Sequence, residues 1–84
     1  MKVVIIDDES KARSLLHTII SEYCSEIEEV FLAENLLKGI EIIQKEEISV
    51  VFLDIEMPQH SGLQLFEFLD INDIYVNRKL ENLL

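Results

Sequence analysis

Two short apolar runs each end on carboxylates, and this pairing constrains the chain more than any other feature. Lys2-Val3-Val4-Ile5-Ile6 runs into Asp7-Asp8, and Ser49-Val50-Val51-Phe52-Leu53 runs into Asp54. Continuous β-rich apolar runs of this length are expected of parallel strands buried on both faces. A carboxylate cannot follow such a strand into a core without a partner, so each run should end where the chain turns toward a site or toward water.

The segments between and after these strands have helical spacing. Ser10 can cap a helix in which Ala12, Leu15, Leu16, Ile19, Ile20 and Tyr23 face inward. Lys11, Arg13, Ser14, His17, Thr18 and Glu22 take its other side. Val30-Phe31-Leu32 reads as a second strand. Glu34 or Asn35 then opens a helix with Leu36, Leu37, Ile40 and Ile43 inward and Glu41, Gln44, Lys45 and Glu46 outward. Gly39, inside that helix, costs about 1 kcal/mol of helix propensity. After Asp54 a loop carrying Pro58, His60, Ser61 and Gly62 leads to a third helix through Leu63, Leu65, Phe66 and Leu69.

A β-α-β-α-β-α alternation predicts an α/β fold, one parallel sheet with helices on both faces. Beyond Asp70 two readings stay open. A fourth strand can start at Ile74, or residues 63–84 can form one long helix with Leu65, Leu69, Tyr75 or Val76, Leu80 and Leu83 or Leu84 on one side. Charge also changes there: residues 1–72 hold 15 acids and 5 bases, whereas residues 73–84 hold 2 of each. We therefore expect a domain over residues 1–70 and a divergent segment over 71–84, with a helical extension of the third helix as one form of it.

The net charge of −10 argues against a basic face for nucleic acid or for an anionic membrane. No apolar run approaches the roughly 20 residues of a membrane-spanning helix, and the N-terminus meets Asp7-Asp8 too soon for a signal peptide. The single cysteine, Cys24, has no partner for an internal disulfide, as expected in the cytoplasm, and reads as a small apolar filler. His17 and His60 have no zinc-ligand spacing and read as solvent-facing. Gly39 and Gly62 are the only glycines, too few for a glycine-rich nucleotide loop.

If the first and third strands are neighbours, Asp7, Asp8 and Asp54 converge at the carboxyl end of the sheet, where open α/β folds place their chemistry. Crowded like charges are relieved by a divalent cation, and hard oxygen ligands suit Mg²⁺. Beside such an ion, a strand-terminal Asp can serve as nucleophile in phosphoryl transfer.

The residues Val4-Ile5-Ile6-Asp7-Asp8-Glu9, Val51-Phe52-Leu53-Asp54-Ile55-Glu56-Met57-Pro58 and Gly62 resemble the receiver domain of two-component response regulators. The likeness is closest to the branch joined to LytTR-type DNA-binding domains, and it covers residues 1 to about 70. It implies a flavodoxin-like (CheY-like) parallel sheet with strand order 2-1-3-4-5, here incomplete. It implies Asp54 as phosphoacceptor and Mg²⁺ held by Asp7, Asp8, Asp54 and the backbone carbonyl of Glu56, with Pro58 and Gly62 shaping the loop. A sensor histidine kinase or a small phosphodonor is the implied partner, and the role is that of a signalling domain rather than an enzyme.

Family features without a match here include a fourth strand ending in the Ser or Thr that contacts the phosphoryl group, a fifth-strand Lys-Pro pair and the aromatic position that reports phosphorylation. The acceptor half of the site is thus expected without the switching half. The third strand would then be an exposed apolar edge, which favours a dimer or higher oligomer covered by residues 63–84 or by strand pairing. A non-switching interaction module is the alternative function. Phe52-Leu53-Asp54-Ile55-Glu56 also faintly echoes haloacid-dehalogenase-like phosphatases, which carry this motif near the start of the fold and lack the Asp7-Asp8 pair.

Overall fold

The structure is a computed structural model, which describes residues 1–54 and the strand backbone at 74–77. The elements run β1 (Lys2–Ile6), α1 (Ser10–Tyr23), β2 (Glu29–Ala33), α2 (Leu36–Lys45), β3 (Ile48–Asp54) and β4 (Ile74–Asn77). All pairings are parallel, in the order β2-β1-β3-β4. This is the flavodoxin-like order that the resemblance implied, as far as four strands can show it.

Side-chain alternation along β1 separates two cores. Val4 and Ile6 join Ala33, Leu36, Val51 and Leu53 under α2, while Val3 and Ile5 join Ile20 under α1. Each face is covered because successive right-handed crossovers that run in opposite directions along the sheet place their helices on opposite sides. The chain leaves β1 toward β2 and crosses back over β1 to β3, so the crevice at the carboxyl ends lies between β1 and β3.

Helix α2 starts as the sequence indicates. Asn35 is its N-cap, and its side-chain oxygen accepts from the backbone N–H of Lys38 at 2.8 Å. Helix α1 starts differently. Ser10 is already helical, Glu9 is the N-cap without a side-chain cap bond, and the Asp7 carboxylate accepts from the Glu9 N–H at 2.9 Å. The turn is therefore held by Asp7 from outside the helix rather than by Ser10.

The expected inward face of α1 is wider than the face the sheet can cover. Ile20 is buried and Leu16 packs beside it, but Leu15, Ile19 and Tyr23 are 55%, 44% and 79% exposed. Leu37 of α2 is likewise exposed. Six apolar positions span too broad an arc for a helix that meets the sheet along one stripe.

Residues 74–77 resolve one open reading: they form a strand beside β3, so no helix continues through them. Val51–Asp54 pair with Ile74–Asn77, and β3 is accordingly not the bare edge that the sequence suggested. The third helix and the loop bearing Glu56, Pro58, His60 and Gly62 lie outside the described residues. Among the described residues no helix is long and apolar enough to cross a membrane.

Candidate functional site

The register of the two central strands builds the site. Ile6 pairs with Leu53, so the next residues, Asp7 and Asp54, stand side by side at the carboxyl edge. Asp8 follows in the turn to α1. One carboxylate oxygen from each of Asp7, Asp8 and Asp54 lies within 4.8 Å of the others. Asp7 and Asp54 are buried, at 3% and 1% exposure, whereas Asp8 faces solvent. The three carboxylates singled out in the sequence are thus brought together. Glu56, Pro58 and Gly62 lie outside the described residues.

The electrostatics are unfavourable for three bare charges. Two ionised carboxylates no more than 4.8 Å apart repel by about 3.5 kcal/mol or more at an effective dielectric of about 20. The pKa of Asp7 is pushed up to about 6. Burial is the main cause, and the neighbouring Asp54 and Asp8 add to it, while the hydrogen bond from the Glu9 N–H works the other way. A donor set of hard oxygens, two buried and one at the mouth, fits a divalent cation that keeps some of its water.

Backbone contacts hold this edge. The Asp7 N–H donates to the Ala33 carbonyl at 3.0 Å, extending the β1–β2 ladder one residue past the strands. Arg13 donates from Nη1 to the Asp7 carbonyl at 2.7 Å. Periodicity puts Arg13 on the outer side of α1, yet it is half-buried and reaches back to the site. A signal for it was present: Arg13 lies in the first turn of α1, where the helix dipole disfavours a cation. On the neighbouring strand the residue in register with Asp54 is Asn77. A fourth strand is therefore present, and its last residue is Asn77, neither Ser nor Thr.

A family model for the response regulator receiver domain matches residues 3–77. Over 70 residues the chain is 43% identical to the transcriptional regulatory protein BtsR of Escherichia coli strain K12, covering 83% of this chain and 29% of that protein. Over 65 residues it is 35% identical to the sensory transduction protein LytR of Staphylococcus saprophyticus, covering 77% of this chain and 25% of that one. The chain spans less than a third of the length of these relatives. Among solved structures, a two component transcriptional regulator AraC from Clostridium phytofermentans superposes with a TM-score of 0.79 at 22% identity, over 93% of this chain and 64% of that one. At that identity the likeness speaks for the fold, and the family match over residues 3–77 speaks for descent. The chain belongs to the response regulator receiver domain family.

Proposed function

We propose that this chain is a cytoplasmic phosphoacceptor that takes a phosphoryl group on Asp54 from a sensor histidine kinase or a small phosphodonor. The observation that carries this reading is the convergence of Asp7, Asp8 and Asp54 within 4.8 Å at the crevice between β1 and β3. An Asp54 carboxylate oxygen forms a bond to phosphorus as the donor's bond breaks. That bond is P–N in a phosphohistidine and P–O in acetyl phosphate. The departing imidazole nitrogen takes up a proton, whereas acetate leaves as the anion. Asp7, Asp8 and Asp54 are the side chains that would hold Mg²⁺, with the Glu56 backbone carbonyl as a further ligand implied by the family and Pro58 and Gly62 shaping its loop. The ion supplies charge neutralisation on the phosphoryl oxygens. The chain would act through altered contacts rather than turnover. Incubation with acetyl phosphate should give one phosphoryl adduct by intact mass that requires Mg²⁺ and is absent from Asp54→Asn. An equal adduct on Asp54→Asn would refute the assignment.

A second reading, a module that pairs with another copy of itself, is favoured by the exposed row Leu15, Ile19 and Tyr23. These residues recur every four positions, with Lys11 at the amino end of the row and Glu22 beside its carboxyl end. Two α1 helices packed antiparallel about a two-fold axis would set Leu15 against Ile19 of the second copy and bring Lys11 near its Glu22. Such an isologous contact complements itself in both apolarity and charge. Light scattering at micromolar concentration tests it: a dimer that Ile19→Glu converts to monomer supports the reading, and a wild-type monomer refutes it.

A further inference from the structure

Arg13 is placed at the end of its helix where the dipole disfavours a cation. It sits in the first turn of α1, in the same turn as the cationic Lys11, with Glu9 as the N-cap. It is nevertheless half-buried, and its Nη1 donates to the carbonyl of Asp7 at 2.7 Å. That carbonyl belongs to the residue whose N–H is tied to Ala33 and whose carboxylate is tied to the Glu9 N–H. Asp7 is thus held at three points, and Arg13 supplies the one that fixes the peptide linking Asp7 to Asp8.

We infer that Arg13 is a positioning residue: by holding the Asp7–Asp8 peptide it sets the two carboxylates against Asp54 for a divalent cation. The inference rests on the proposed cation-binding reading of the same site. It acts through hydrogen bonding, and it opposes the simple effect of charge. A guanidinium near three carboxylates repels an incoming cation, so if charge alone mattered, its removal would tighten binding. If Arg13 holds the turn, its removal loosens binding. Outer partners that orient metal ligands typically contribute tenfold or more to affinity.

The test is Mg²⁺ titration by calorimetry of the intact chain as wild type, Arg13→Ala, Arg13→Lys and Asp8→Asn, with thermal melts in chelator as the control for folding. Arg13→Ala should weaken Mg²⁺ roughly tenfold. Arg13→Lys, which keeps the charge and one reaching donor, should recover most of that loss, and Asp8→Asn should abolish binding. Equal or tighter binding by a folded Arg13→Ala, with wild type binding and Asp8→Asn not, overturns the positioning role alone. If Arg13→Ala does not fold, Arg13→Lys decides: Mg²⁺ affinity close to wild type supports the role, and a loss as large as that of Asp8→Asn overturns it. Absence of saturable Mg²⁺ binding by the folded wild type overturns the cation reading itself and this inference with it.

Discussion

Gly39 of α2 lies directly against Ile6 of β1. A Cβ at Gly39 would overlap the Ile6 Cδ1 and stand 2.7 Å from its Cγ1. The glycine lets a helix backbone approach the strand that carries Asp7 and Asp8 at its end. From sequence alone Gly39 is only a loss of helix propensity; in the fold it is a packing requirement between α2 and the strand beneath it.

Gly39→Ala should therefore lower stability, although alanine gains about 1 kcal/mol of helix propensity. Overpacking a closed core costs about 1–3 kcal/mol and outweighs that gain. Adding Ile6→Val, which removes Cδ1, should restore part of the loss, so denaturant melts of the two single variants and the double variant should show favourable coupling between the substitutions.

Asp7 should make the metal-free protein less stable as pH rises. Its folded pKa of about 6 stands above the ordinary 3.8, so the folded state holds the proton more tightly than the unfolded one. That contribution is present in full below the unfolded pKa and is lost as pH climbs through about 6, amounting to at most about 3 kcal/mol. In chelator at pH 7.5, Asp7→Asn should melt above wild type, and the gap should close on acidification toward pH 4. Saturating Mg²⁺ should reverse the order, because the ion stabilises only a chain that binds it.

Asn35→Ala should destabilise the fold by about 1 kcal/mol through loss of the cap bond to the Lys38 N–H. Ser10→Ala should change it far less, since Ser10 is inside α1 and Glu9 is the N-cap. Parallel urea melts of the two variants make this comparison.

Much of the fold was legible because β1 and β3 are apolar on both faces and α2 is apolar on one, so period and burial agree. The three carboxylates were legible because they lie at or just past the ends of β1 and β3, and a parallel sheet collects such ends. What sequence could not show were contacts that run against local pattern. Arg13 fits the polar side of α1 by periodicity, yet its long side chain doubles back to a main-chain carbonyl. Asp7 rather than Ser10 ties down the turn into α1, because a carboxylate preceding the helix can reach the Glu9 N–H. Ile74–Asn77 reads as strand or helix from composition, and only pairing with β3 decides it. Leu15, Ile19 and Tyr23 fit an inward face by spacing, but a single sheet face is too narrow to receive them all.

Trapping the product on the chain shows whether Asp54 is the acceptor in a divalent-cation site. After reaction with acetyl phosphate and Mg²⁺, borohydride reduces an aspartyl phosphate to homoserine, which tandem mass spectrometry locates. Homoserine at position 54, dependent on Mg²⁺ and greatly diminished in Asp8→Asn, is the expected result. Homoserine at another carboxylate, or none from a folded protein that binds Mg²⁺, would rule out Asp54 as the acceptor.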